Sequence, residues 1–132
     1  MKYANFLPAT TVYAHCDLPC GVYDPAQARI EATSVLTICT KYNESTDEVF
    51  RQRSIIIKEE RAELVKKHLW VLWTDYFKPE HLEKHPQLHD IIWRATKQAG
   101  EAKHHTDVAT AQKLLDLIAE ITEIFNDTRK KV

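Results

Sequence analysis

The residues best suited to chemistry in this chain lie close together, between His15 and Cys20. His15, Cys16 and Cys20 provide an imidazole and two thiols, and Pro19 favours a turn between the thiols. Soft thiolates beside an imidazole suit a borderline transition metal better than magnesium or calcium. Structural zinc needs four side-chain ligands, and a thioredoxin-type centre has two residues between its cysteines, so neither fits this run. We therefore predict a metal hook at residues 15–23; a surface loop with two incidental cysteines is the alternative.

The donor set of the hook depends on where the mature chain begins. Residues 1–14 carry a single charge and show neither helical nor strand periodicity. If they form a propeptide that ends at Ala14, the α-amine of His15 becomes free and the Cys16 amide can be deprotonated. Two nitrogens and the thiolates of Cys16 and Cys20 then form a planar set typical of Ni(II) or Cu(II), with the His15 imidazole axial. We predict that residues 1–14 are removed; a disordered start is the alternative.

The composition excludes several classes of function. The net charge is −1 and no block of like charges occurs, so nucleic acid is not an expected partner. No apolar stretch approaches the ~20 residues that span a bilayer, so a membrane is not an expected partner either. Pro8, Thr10 and Thr11 interrupt any secretory signal. A length of 132 residues, 44% hydrophobic residues and only two glycines favour a single helical domain.

Four amphipathic helices are predicted to follow the hook. Asp24 and Pro25 form a typical helix start, in which the aspartate caps and the proline takes the first helical position. The second helix is predicted from about Asp47 to Phe77, the third from Pro86 to about Lys103, and the fourth after a cap at Thr106 or Asp107. Short connections between such helices indicate an all-α, up-down antiparallel four-helix bundle with an irregular amino-terminal metal hook.

Each predicted helix has one apolar face that should lie in the bundle core. The expected core positions, helix by helix, are Ala28, Ala32, Val35, Cys39 and Tyr42; Phe50, Ile57, Leu64 and Val71, with Leu72 and Tyr76 extending the stripe; Leu88, Ile91, Ile92, Ala95 and Ala99; and Leu114, Leu117, Ile118, Ile121 and Phe125. Cys39 is interpreted as an ordinary core residue, because buried free cysteine is common.

The complete run from His15 to Pro25, His-Cys-Asp-Leu-Pro-Cys-Gly-Val-Tyr-Asp-Pro, closely resembles the nickel hook of the nickel-dependent superoxide dismutases. The resemblance covers nearly all of residues 15–132 and includes the segments 24–31, 57–64 and 72–79. It implies one nickel ion per subunit and conversion of superoxide to dioxygen and hydrogen peroxide by Ni(II)/Ni(III) cycling. It also implies a homohexamer of four-helix bundles, a maturation protease and a cytoplasmic location.

The resemblance also assigns roles to residues beyond the ligands His15, Cys16 and Cys20. Glu31 matches the carboxylate that holds the axial imidazole, and Arg61 matches the guanidinium that joins it from a neighbouring subunit. Asp17 and Tyr23 match residues that line the substrate pocket. Without the resemblance, Glu31 and Arg61 would be interpreted as ordinary solvent-facing charges.

Two other functions are compatible with the hook. A non-enzymatic carrier could bind nickel or copper through the same donors, since copper often outcompetes nickel for them. A helical interaction module could retain a vestigial hook. Glu31 and Arg61 discriminate between enzyme and carrier, because a carrier has no need for a tuned axial imidazole.

Two further clusters bear on the prediction. His81, His85 and His89 are spaced by four, but Pro86 breaks the helical register, so we expect solvated polar residues rather than a shared face. The run Trp70-Val71-Leu72-Trp73 wraps around a helix, and one bundle core cannot bury all four side chains. This run favours subunit contacts.

Overall fold

The computed structural model describes residues 21–129. The predicted leader, the predicted ligands His15, Cys16 and Cys20, and the predicted pocket residue Asp17 lie outside these described residues. The helices are α1 (Ala26–Glu44), α2 (Glu48–Val71), α3 (Pro79–Lys84), α4 (Leu88–His104) and α5 (Val108–Arg129), and a single π-helical turn, the π turn (Leu72–Tyr76), continues α2.

The four long helices form the predicted antiparallel bundle. Each packs against two others, in the cyclic order α1, α2, α4 and α5. The predicted all-α four-helix architecture is therefore confirmed. Between residues 21 and 129, no helix is long and apolar enough to cross a membrane.

Aspartates begin three of the long helices, because a carboxylate can accept the backbone N–H groups that lack a helical partner. Asp24 Oδ1 accepts from the Ala26 amide at 2.8 Å, and Asp47 Oδ1 accepts from the Val49 amide at 2.9 Å. Asp107 Oδ1 accepts from the Thr110 amide at 2.7 Å, which makes Asp107 the cap of α5.

The predicted core faces of α1, α4 and α5 are confirmed, with Tyr42 only half-buried. Every other predicted core residue of these three helices is buried in one continuous cluster. Cys39 is a free, buried thiol, as expected for a core residue. Burial raises the pKa of this thiol, which keeps it protonated and poorly nucleophilic.

The predicted core face of α2 is wrong for its four heptad positions, but its extension is confirmed, since Leu72 is buried and Tyr76 packs against the core. Phe50 and Ile57 are each 38% exposed, and Leu64 and Val71 are half-buried. The side chains that α2 buries instead are Ser54, Lys58, Ala62, Val65 and Leu69. This buried face packs against α1 and α4 and includes the small residues Ser54 and Ala62, whereas Phe50 and Ile57 remain partly exposed.

The segment between α2 and α4 also departs from the prediction. The third helix was expected to open at Pro86, but α3 comes first, with Pro79 at its first position, and α4 begins at Leu88. With six residues, α3 is too short to show an apolar period, so the sequence pattern does not predict it. The π turn closes through a bond from the Phe77 amide to the Leu72 carbonyl at 2.9 Å.

Candidate metal and substrate site

A cavity of about 370 Å³ lies where the described chain leaves the hook. Its walls are formed by Gly21, Tyr23, Asp75, Tyr76, Lys78, Glu80 and His81. Gly21 has a φ of +69°, a left-handed conformation that favours glycine, and it follows Cys20 directly in the chain. The predicted pocket residue Tyr23 therefore lines a cavity together with Gly21, which follows the last predicted metal ligand in the sequence.

An aromatic cluster forms one wall of this cavity. The Tyr76 ring lies 5.7 Å from the Tyr23 ring, stacks on His81 at 5.6 Å and contacts Phe125 at 4.4 Å. Tyr76 comes from the π turn, His81 from α3 and Phe125 from α5. Three elements thus meet behind Tyr23 and determine the shape of the cavity.

The three histidines spaced by four do not share a face, in agreement with the break at Pro86. The expectation that all three are solvated is wrong for two of them. His81 is half-buried against Tyr76, and the His85 side chain is only 15% exposed, with Nε2 2.9 Å from Asp127 Oδ2. His89 is exposed and contacts Trp73 edge-on at 5.5 Å.

Sequence reasoning missed Tyr76, Lys78 and His81 as residues of this cavity. Tyr76 and Lys78 lie in the segment 72–79. This segment resembles the family as a whole, and the resemblance assigns no functional role to either residue. His81 lies in α3, which had not been predicted. Lys78 is exposed and brings one positive charge to the cavity, whose lining also carries the carboxylates of Asp75 and Glu80.

Glu31 and Arg61 form an ion pair. Arg61 Nη1 lies 3.2 Å from Glu31 Oε2, and the two side chains are 35% and 15% exposed, respectively. The contact forms within one chain. The reason is that α1 and α2 pack side by side and bring these positions together. Arg61 also lies 3.6 Å from the exposed Glu60.

The ion pair and Tyr23 line different cavities. Arg61 contributes to a groove of about 450 Å³ between α1 and α2, which Phe50 and Ile57 also line. The two cavities are formed by different parts of the described chain.

The metal donors are not found in the bundle itself. Among residues 21–129, no group of three or more His, Cys, Asp or Glu side chains could hold a metal ion. The donor set that suits nickel is that of His15, Cys16 and Cys20, whose thiolate and nitrogen donors match a planar nickel site.

Comparison with known proteins settles the family. A family model described as nickel-containing superoxide dismutase matches residues 10–129. The chain belongs to this family. It is an oxidoreductase that acts on superoxide and uses nickel as its cofactor.

Curated relatives agree with this family along almost their whole length. The superoxide dismutase [Ni] of Streptomyces seoulensis is 57% identical over 125 residues, which cover 95% of each chain. The enzyme of the same description from Streptomyces coelicolor is 55% identical, again over 95% of each chain. Identity at this level over the hook and all helices excludes a chance similarity limited to the motif.

Solved nickel superoxide dismutases have the same fold. A crystal structure with the nickel ligation of the oxidised state is 58% identical, with a TM-score of 0.85 and coverage of 88% of this chain and 99% of the solved chain. A native structure at 1.30 Å is 55% identical, with a TM-score of 0.86 and the same coverage. These likenesses place the described bundle in a nickel enzyme rather than in a carrier or an interaction module.

Proposed function

We propose that the mature enzyme begins at His15 and binds one nickel ion per subunit through the hook. The donors would be the His15 amine, the Cys16 amide and the thiolates of Cys16 and Cys20, and the His15 imidazole would be a further donor. The observation that carries this proposal is the donor chemistry of the hook, because a free amine exists at His15 only after cleavage behind Ala14.

The lengths of the relatives support removal of a leader. Curated relatives match this chain over 95% of both sequences, whereas the solved structures cover 88% of this chain and 99% of their own. The solved chains are therefore shorter than this one. A difference of this size agrees with a cleavable leader of the length of residues 1–14, removed by a maturation protease.

Nickel, when bound, supplies a one-electron couple by which one superoxide is oxidised to dioxygen and another is reduced to hydrogen peroxide. The chain's own residues orient the hook and line the approach of the substrate. Glu31 accepts the N–H of the His15 imidazole and fixes its orientation, and Arg61 holds Glu31 in place through the 3.2 Å contact. Tyr23 and Asp17 line the approach of the substrate, and Lys78 adds positive charge there.

The active assembly is proposed to be a cytoplasmic homohexamer. Support for an oligomer comes from the apolar groove between α1 and α2, where Phe50 and Ile57 remain exposed in the single chain. Trp70, 44% exposed while its neighbour Leu72 is buried, adds a second apolar surface. The hexameric state and the compartment rest on the resemblance to the family.

Mass spectrometry of the protein purified from its own cells tests the amino terminus and the metal together. We expect a chain that starts at His15 with one nickel ion per subunit. A matched variant that retains one extra residue before His15 should keep its helical circular dichroism and lose dismutation. Full activity of the uncleaved chain would refute the proposal.

A further inference from the structure

The phenol of Tyr76 is hydrogen-bonded to the last turn of α5. Tyr76 Oη lies 2.7 Å from Thr128 Oγ1, a contact between the π turn and the last turn of α5. Both side chains are half-buried. The bond joins positions 52 residues apart in sequence, so that only the folded bundle can form it.

The direction of this hydrogen bond follows from the neighbouring one. Thr128 Oγ1 donates to the Phe125 carbonyl at 2.6 Å, and a threonine hydroxyl has a single proton. Thr128 must therefore accept from Tyr76, whose phenol proton is directed at α5. The Tyr76 oxygen then offers only lone pairs to any other partner.

The position of the Tyr76 ring determines the aromatic wall of the cavity beside the hook. The ring lies between Tyr23, His81 and Phe125, and it comes from a π turn, an element that occurs often at functional sites. Aromatic contacts of this kind leave a ring free to slide, whereas a directed hydrogen bond fixes one end of it. Thr128 itself lines a separate cavity with His81 and Asp127.

We propose that Thr128 is a positioning residue for the superoxide site. By accepting the Tyr76 proton, it holds the Tyr76 ring against Tyr23 and thereby fixes the substrate approach from outside the cavity. This inference rests on the proposed function of the cavity beside the hook. It gives the carboxyl-terminal turn of α5 a role in the site beside the amino-terminal hook.

The variant Thr128→Val tests the proposal, because it keeps the shape of the side chain and removes the acceptor. The conservative variant Thr128→Ser restores the hydroxyl. The matched control is Thr122→Val: Thr122 lies on the same helix, is half-buried and donates to the Ile118 carbonyl at 2.7 Å. This control removes an equivalent bond to the helix backbone without touching Tyr76.

Two readouts are needed, one of them independent of nickel. In the metal-free processed protein labelled with 3-fluorotyrosine, the fluorine resonance assigned by Tyr76→Phe should shift or broaden in Thr128→Val, and remain at the wild-type position in Thr128→Ser and Thr122→Val. In the nickel-loaded protein, Thr128→Val should lower the dismutation rate constant about tenfold at unchanged nickel content, since small misplacements in a preorganised site are costly. Thr128→Ser should recover the rate.

An unchanged fluorine resonance in Thr128→Val would overturn the hydrogen bond, and a moved resonance with an unchanged rate would overturn the positioning role. If Thr128→Val does not fold, Tyr76→Phe replaces it, and an unchanged rate in that folded variant would overturn the proposal. Absence of dismutation in the processed, nickel-loaded wild type would refute the proposed function instead, while the metal-free resonance still reports on Thr128.

Discussion

At the scale of single residues, the three cysteines of the chain divide by environment. Cys39 lies in the bundle core with 1% exposure, and burial raises its thiol pKa, so that it has no thiolate to offer a metal. Cys16 and Cys20 lie in the hook beside an imidazole. Cysteine is thus a buried core residue at Cys39 and a proposed metal ligand at Cys16 and Cys20.

The first prediction concerns these thiols. Cys16→Ser and Cys20→Ser should each lose nickel, the thiolate-to-metal absorption and dismutation together. Cys39→Ala should retain all three and lower the free energy of unfolding by about 1–2 kcal/mol, as for a small core truncation. Metal analysis, absorption spectra and denaturant titration measure these quantities. Loss of nickel from the Cys39 variant alone would contradict the assignment.

The second prediction concerns Glu31. Glu31→Ala should leave the absorption of planar thiolate ligation intact, weaken the Ni(III) signal in electron paramagnetic resonance and slow turnover by about ten- to a hundredfold, because the axial imidazole loses its support. Arg61→Ala should act in the same direction and more weakly. Glu60→Ala is the matched control, since Glu60 touches the same guanidinium at 3.6 Å from an exposed position. Wild-type turnover with an unchanged signal in Glu31→Ala would disprove the role.

At the scale of elements, α2 is tied to the end of α4 by a buried lysine. Lys58 is 2% exposed, and its ammonium donates to the carbonyls of Ala102 at 2.5 Å and Lys103 at 2.8 Å. These carbonyls belong to the last turn of α4, where no further helical N–H groups are available. Burial lowers the pKa of Lys58, yet the negative end of the helix dipole provides favourable partners.

The third prediction follows from this contact. Lys58→Met keeps the length of the side chain but removes the ammonium N–H donors. The carbonyls of Ala102 and Lys103 then lose these hydrogen bonds. The free energy of unfolding should fall by about 2–4 kcal/mol. The matched control Lys67→Met, at an exposed position on the same helix, should change it by less than about 0.5 kcal/mol. Equal stability of the two variants in denaturant titration would contradict this account.

The fourth prediction concerns the contact between α3 and α5. A hydrogen bond from Lys84, at 2.6 Å, lowers the pKa of Asp127, and the neighbouring His85 acts in the same direction. A carboxylate with a lowered pKa stabilises the fold above its usual pKa and loses this contribution as the pH falls through its folded-state pKa. Asp127→Asn should therefore lower Tm at neutral pH and flatten the fall of Tm on acidification below about pH 4. Parallel curves of Tm against pH for the variant and the wild type would rule out this stabilisation by Asp127.

At the scale of the whole molecule, the bundle leaves apolar surface uncovered. Phe50, Ile57 and the neighbouring Ile56 face outward from α2, beside the groove that Arg61 also lines. A chain with such a surface gains from covering it with another copy of itself. Because Arg61 holds Glu31, a partner at this groove would also stiffen the proposed support of the hook.

The fifth prediction tests this surface by light scattering. The wild type should be a hexamer, and Ile57→Glu should shift the mass towards the monomer while circular dichroism stays helical, because Ile57 is already partly exposed within the chain. Val108→Glu, which introduces the same charge at an exposed apolar position on α5, should retain the wild-type mass. A monomeric wild type at micromolar concentration would contradict the assembly.

The sequence alone was sufficient for the fold class, three of the four core faces and the family. Apolar periods in α1, α4 and α5 coincide with burial, because each of these helices has one apolar side. The family could be inferred because the run from His15 to Pro25 has a donor chemistry that few other sites require. These features depend on residues that are close together in the sequence, so they can be recognised from the sequence alone.

Tertiary structure decided the features that join distant positions. The face that α2 buries, which includes Ser54, Lys58 and Ala62, is set by its packing against α1 and α4, and the heptad of large apolar residues on α2 does not indicate it. The Glu31–Arg61 pair, the burial of Lys58 and the bond between Tyr76 and Thr128 each link residues at least 30 positions apart. No local pattern encodes such contacts, because they arise only when packed helices place their side chains together.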